Sequence, residues 1–221
     1  PEFRRRGYAA TLMEWVLQQQ LAGGVQFGLL YSDIKPEYYA AMGYRLCDSY
    51  YAWAMPRVGE HAGDGRLERF DPAASAGALA WMYVTVQSTR SVWIERDEVY
   101  WDWVRGRYPD HEWYWWMAEE SDAPTGYIQL KPAGAEMRVF DWGVLPGEEE
   151  QAFWKTVLEW AADRSVARIG GWLPSSEAIA GCFEVTPRIK ELTMISGLTP
   201  EAPWEDSYSF DAAWFTECDH I

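Results

Sequence analysis

The chain has little of what several large protein classes require. Its three cysteines (Cys47, Cys182, Cys218) are scattered without a C-x-x-C spacing, and its three histidines (His61, His111, His220) are equally dispersed. That leaves neither a disulfide framework nor a zinc constellation, and it fits a reducing cytoplasm. Cysteines so placed read as small buried hydrophobes. No apolar run approaches the ~20 residues that span a bilayer, and no signal peptide is visible. Basic residues are also scarce, 19 Lys and Arg against 34 Asp and Glu, for a formal charge of −15. Residues 1–57 hold six basic against five acidic side chains, and the remainder thirteen against twenty-nine. A polyphosphate partner needs a basic face, so nucleic acid is excluded as a partner, and no membrane partner is expected. An acidic body suits cationic ligands such as amines and polyamines, and equally suits plain solubility.

What the chain does have is aromatic residues and one ordered motif. Aromatics make up 16% of residues, including fifteen tryptophans, within a 48% apolar composition that can supply a substantial core. Near the start, Arg4-Arg5-Arg6-Gly7-Tyr8-Ala9 runs directly into the apolar-periodic stretch Ala10–Leu21. A small-residue loop opening a helix is a ready cradle for a pyrophosphate. The helix leaves its first N–H donors unpaired and turns its positive end toward the anion. Then follow Gly28-Leu-Leu-Tyr-Ser32-Asp33 and Glu37-Tyr38-Tyr39-Ala-Ala-Met42-Gly43-Tyr44.

This series of loop, helix, strand, short helix and Gly-Tyr resembles the coenzyme-A-binding half of the GNAT superfamily of N-acetyltransferases. The resemblance implies acetyl-CoA as cofactor, held by Arg4, Arg5, Arg6, Gly7, Tyr8, Ala9 and Ala10, with Ser32 and Asp33 approaching the pantetheine arm. Ser32 and Asp33 could equally form an ordinary cap leading into the next helix. It further implies that Tyr39, five residues before Tyr44, gives a proton to the departing thiolate, a role open to a phenol at neutral pH. Tyr38, Met42 and Tyr44 read as core. Residue 1 is Pro, and the cradle begins at once, so the strands that precede this loop in such a domain are expected to lie upstream, in a longer protein.

The remainder reads as a second copy. Pro56–Gly65 has a linker composition. Beyond it the pattern predicts a helix from Asp71-Pro72 to about Gln87, with Asp71 as N-cap, and another over Asp97–Arg107. Strands are predicted at Glu112–Glu119, Gly126–Lys131 and Met137–Val144, a helix at Glu148–Asp163, a strand at Ala167–Leu173, a short helix at Ser175–Cys182 and a last strand at Lys190–Ile195. A strand over Arg45–Met55 would close the first unit. At an offset of 145, Thr11-Leu-Met-Glu-Trp15 meets Thr156-Val-Leu-Glu-Trp160. In the loop, however, Arg4-Arg5-Arg6-Gly7 meets Glu149-Glu150-Gln151-Ala152. Carboxylates there favour the helix and repel a pyrophosphate, so the second copy is expected to keep the scaffold and lack the cofactor site.

The expected fold is therefore α/β (α+β), a GNAT-like mixed sheet flanked by helices, duplicated in tandem with the first copy incomplete. Residues 1–57 form the C-terminal half of an acetyl-CoA-binding domain, 58–65 a linker, 66–200 a degenerate GNAT-like domain and 201–221 a tail. Two such units resemble the Eis-type (enhanced intracellular survival) acetyltransferases, without their sterol-carrier-like domain. That resemblance offers Asp219, His220 and the terminal carboxylate of Ile221 as candidates for the general base, with a disordered or merely packed tail as the default reading. The tryptophans of the middle segment read either as an aromatic core or as the wall of a cation or sugar pocket. The function implied is acetyl-CoA-dependent transfer of an acetyl group to a primary amine of a small molecule or peptide in the cytoplasm. A homo-oligomer is compatible with it. A non-catalytic acyl-CoA-binding or interaction module, and a Trp-lined carbohydrate-binding module, stand as alternatives.

Overall fold

The computed structural model describes residues 6–33, 35–60, 63–199 and 204–220. Two compact units emerge, each assembled from separate stretches of chain. One comprises the described residues up to Asp48 with those of Arg188–Phe210, and the other Ser49–Pro187 with those of Asp211–Ile221.

In the first unit, helix α1 (Tyr8–Ala22) leads to strand β1 (Phe27–Ser32), the short helix α2 (Pro36–Ala40) and strand β2 (Arg45–Leu46). Ala10, Met13, Val16 and Leu17 form the half-buried stripe of α1, at the spacing one helical face requires. Leu12, Trp15 and Leu21 remain exposed.

The second unit begins with strands β3 (Tyr50–Ala54) and β4 (Gly65–Arg69). Helices α3 (Ala76–Gln87) and α4 (Glu98–Arg107) follow, then the meander β5 (Glu112–Ala118), β6 (Gly126–Ala133) and β7 (Glu136–Val144). Helix α5 (Glu150–Asp163), strand β8 (Arg168–Trp172), helix α6 (Glu177–Ala180) and strand β9 (Glu184–Pro187) complete its main run. Strand β10 (Leu192–Gly197) comes next, then helix α7 (Asp206–Ala212) and a 3-10 turn at Glu217–Asp219.

Sheet pairing corrects the expected closure of the first unit. The stretch Arg45–Met55 is two strands, and β3 lies in the seven-stranded sheet, ordered β4-β5-β6-β7-β8-β3-β9. In return β10 sits in the first unit's sheet, ordered β1-β10-β2. The sets β1-β10-β2 and β8-β3-β9 have the same order, and all their pairings are antiparallel. Each repeat of helix, strand, short helix and strands thus places its last strand in the other repeat's sheet. The break at Cys47–Ser49 separates β2 from β3, which the periodicity alone runs together, and Arg188–Glu191 joins β9 to β10. In the second, Glu191 takes a left-handed φ of 51°.

The seven-stranded sheet is covered on both faces. Tyr114 and Trp116 join Ile128, Leu130 and the α5 residues Phe153, Trp154, Val157 and Leu158 on one side. Trp113 and Trp115 join Tyr127 and the α3 and α4 residues Leu79, Met82, Tyr83, Trp101 and Val104 on the other. The strict alternation along β5 therefore supplies two cores, and Trp101, Trp113, Trp116 and Trp142 are core residues. Glycines in β8 permit the close approach of both neighbouring strands. A Cβ on Gly170 would run into the Ala52 carbonyl of β3, and one on Gly171 into the Val139 carbonyl of β7.

Two local expectations also need correction. Helix α3 starts at Ala76, because Asp71 accepts the Ala73 N–H at 2.8 Å and holds residues 72–75 in turns. Strand β4 begins within the stretch read as linker, and β9 occupies residues that the pattern left between a helix and a strand.

Candidate functional site

The helix of the first unit opens as the motif requires. Gly7 caps α1 in the left-handed region, at φ 77°, a conformation that glycine adopts without a Cβ penalty. Among the described residues no side chain caps the helix, and no acidic residue occupies its first turn. The carbonyl of Gly7 accepts the Thr11 N–H at 3.0 Å, the first bond of the helix. Space for an added Cβ at Gly7 is open to 4 Å. Arg6, Gly7, Tyr8 and Ala9 are exposed and Ala10 half-buried. Arg4, Arg5 and Ile221 lie outside the described residues.

Tyr39 sits in α2, half-buried, its ring edge-on to Tyr38 at 5.1 Å and to Tyr44 at 6.3 Å. Its carbonyl accepts from the N–H groups of Met42 (2.9 Å) and Tyr44 (3.2 Å), which bends the chain back through Gly43 at φ 91°. Tyr44 is buried, and its phenol lies so close to β1 that a Cβ on Gly28 would meet Oη at 2.7 Å. The motif's Gly28 and Tyr44 are thus one packing unit. Burial pushes the Tyr44 phenol upward, with Tyr39 adding to the rise. Tyr38 is half-buried, and its hydroxyl finds no hydrogen-bond partner among the described residues.

Ser32 and Asp33 take different parts. Ser32 is buried at the end of β1 opposite Leu192. Asp33 is exposed and accepts the Glu191 N–H at 3.2 Å, bracing the left-handed turn before β10. Neither caps α2, whose N-cap is Lys35 followed by Pro36.

The corresponding helix of the second unit is built for a different end. Helix α5 has Glu149 at its N-cap and Glu150 in its first turn. The Glu150 carboxylate accepts from Ser176 Oγ at 3.0 Å and Trp154 Nε1 at 3.2 Å, so a carboxylate of the chain itself occupies the helix end. Burial pushes its pKa up, opposed by these two hydrogen bonds and by Arg90.

The chain end is held by a buried network that the sequence did not reveal. Arg96, fully buried on the segment between α3 and α4, donates to Asp141 through Nη1 (2.5 Å) and Nη2 (3.2 Å). It also donates to Asp219 Oδ1 through Nε (3.0 Å) and Nη2 (2.8 Å). Thr216 donates to Asp141 at 3.0 Å, Tyr127 donates to the same carboxylate at 3.1 Å, and Tyr100 donates to Asp219 at 3.2 Å. The guanidinium lies over the rings of Tyr83 at 4.1 Å and Trp101 at 5.0 Å. Burial alone would lower the Arg96 pKa, but Asp141 and Asp219 outweigh it and keep the group charged. An irregularity between β6 and β7, where Gln129 faces Asp141 and Leu130 faces Val139, leaves Phe140 unpaired and re-aims Asp141 toward Arg96. Asp219, expected as a base candidate, is thus committed to a structural ion pair. The ring of His220 lies 5.2 Å from that of Trp172. Cys47 and Cys218 are buried, and burial pushes the Cys47 thiol up to about 12.

No helix among the described residues is long and apolar enough to cross a membrane. No family model and no curated protein matches the chain. Solved structures do. A GCN5-related N-acetyltransferase from Anabaena variabilis superimposes with a TM-score of 0.68 at 17% identity, over 90% of this chain and 53% of that one. A probable N-acyltransferase from Enterococcus faecalis gives 0.68 at 17% identity, over 90% and 52%. Eis1 from Mycobacterium abscessus gives 0.59 at 18% identity, over 90% and 54%. The chain thus spans about half the length of these structures. At such identities the likeness is one of fold, and the fold of this chain is the mixed α/β sheet flanked by helices that GNAT N-acetyltransferases share.

Proposed function

We propose that the chain belongs to an N-acetyltransferase that takes acetyl-CoA and transfers the acetyl group to a primary amine. The observation that carries this reading is the start of α1. A left-handed glycine, the positive end of a helix, an acid-free first turn and a run of arginines just before it together suit a pyrophosphate. The shared fold supports acyl transfer as the reaction class. Arg4, Arg5 and Arg6 would neutralise the phosphates, and the amides after Gly7 would bind them. Tyr39 would protonate the departing thiolate, with Tyr44 beside it holding the α2 turn in place. Ser32 and Asp33 would lie along the pantetheine arm and Ile221 would supply the base. The second unit, with Glu150 in its own helix end, would hold no cofactor and serve as scaffold.

Calorimetric titration of acetyl-CoA into the chain, with an Arg5→Glu/Arg6→Glu variant alongside, tests the cradle. Saturable binding weakened at least tenfold in the variant is expected. A folded chain that ignores acetyl-CoA, or binds it equally in the variant, refutes the assignment. Where turnover with an amine is measurable, Tyr39→Phe should lower kcat by roughly 10²-fold with little change in acetyl-CoA affinity, as loss of a general acid does.

A further inference from the structure

A cavity of about 590 Å³ opens in the second unit where β4, the turn after it, the end of α4 and the start of β5 meet. Its size falls in the range of small-molecule sites, ~300–1,000 Å³. Neither the expected cofactor motif nor the chain end contributes to it. Its lining joins two arginines, a histidine and three aromatic rings: Arg69, Arg105, His111, Phe70, Tyr108 and Trp113.

The polar groups have unused donors. Arg105 is largely buried and pairs through Nη2 with Asp102, yet its buried Nη1 has no hydrogen-bond partner among the described residues. A buried donor left unpaired carries a desolvation cost, and a ligand oxygen would relieve it. Arg69 lies 3.7 Å from Glu112, an ion pair too long for a hydrogen bond, so its fork is open to a second acceptor. Gln129 Nε2 lies 2.9 Å from His111 Nδ1, and when it donates there the ring proton sits on Nε2, a neutral third donor. Asp71, the lining carboxylate, is already occupied in part by the Ala73 N–H at 2.8 Å.

The apolar walls are flat. Phe70 stacks on Trp115 at 3.9 Å and 10°, and Tyr108 stacks on His111 at 4.7 Å and 12°. Phe70 and Tyr108 are half-buried and line the cavity. Flat walls favour a planar ligand body. With Asp71, Asp102 and Glu112 nearby, a dianion such as phosphate would meet more repulsion than a single carboxylate.

From this arrangement we propose that the cavity is a second ligand site, which takes a small planar organic carboxylate. The carboxylate would bridge Arg105 and Arg69 with His111 as auxiliary donor, and its flat body would lie against Phe70 and Tyr108. Burial holds the His111 ring at about 4, Lys131 adding to the depression and Asp110 opposing it. The ring therefore contributes a hydrogen bond and no charge near neutrality, and affinity should be flat between about pH 6 and 8.

Benzoate and inorganic phosphate are the probes, titrated calorimetrically into the whole chain with and without acetyl-CoA. Benzoate should bind saturably, at least tenfold tighter than phosphate, and with the same affinity whether or not acetyl-CoA is present. Arg105→Gln should weaken it at least tenfold. Ala73→Phe, at an exposed lining position, should crowd the cavity and weaken binding at least tenfold while leaving the circular dichroism unchanged. Absence of benzoate binding, phosphate binding as tightly as benzoate, or undiminished benzoate affinity in Ala73→Phe would each overturn the proposal. Failure of acetyl-CoA to bind would bear on the first unit's cradle and leave the benzoate result standing.

Discussion

Replacing Arg96 with methionine removes one guanidinium and leaves two carboxylates in the interior of the second unit. Arg96 and Asp141 side chains are fully buried and Asp219 is 4% exposed, so water cannot take over the lost hydrogen bonds. Breaking a buried ion pair from one side costs about 3–5 kcal/mol, because the remaining charge keeps its desolvation penalty. Methionine restores part of the packing against Tyr83 and Trp101 but none of the charge. Against a total stability of ~5–15 kcal/mol, that is a large loss. For domains of this size it corresponds to a fall in Tm of roughly 6–20 °C. The assay is urea and thermal denaturation followed by far-UV circular dichroism at several pH values. In the variant, Asp141 is an acid whose folded pKa burial raises above the unfolded one. Its penalty is full above that folded value and is relieved as pH falls through it. The gap between wild type and variant should therefore narrow from pH 7.5 to 5. Adding Asp141→Asn and Asp219→Asn to the variant should recover part of the loss. A loss under about 1 kcal/mol at pH 7.5, or a gap indifferent to pH, would refute the assignment of a charged structural network.

Other consequences are open to direct measurement. Gly170→Ala should destabilise the second unit by about 3 kcal/mol, the upper end of overpacking costs, because the Ala52 carbonyl leaves no room for a Cβ; chemical denaturation reads this directly. Deleting residues 188–221 removes β10, which pairs with both β1 and β2 and lies between them in their sheet, so amides of residues 27–32 should lose hydrogen-exchange protection. His111 is neutral when folded and ordinary when unfolded, so as pH falls from about 6.5 to about 4 the unfolded state takes up the proton first and stability is lost. His111→Gln should flatten the stability profile in that window.

Much was legible in the sequence because it was local. The Gly7 opening of α1, the span of α4, the α5–β8–α6 series and the two-faced alternation of β5 each follow from residues a few positions apart. Helix and strand periods act over that range. The pairing of Gly28 with Tyr44 was visible as two motif residues, but the contact that explains them was not.

Sequence by itself determined the order of elements, the duplicated helix-strand-helix series and the residue types gathered at the start of α1. Tertiary structure alone decided that β3 and β10 would change places between the two sheets. Nothing in an alternating strand encodes which edge it joins, since the period fixes faces and leaves partners open. It alone decided that Arg96, Asp141 and Asp219, up to 123 positions apart, would share one buried site. One unpaired residue in β7 turns Asp141 to that side, and burial then requires each of the three charges to be there for the others.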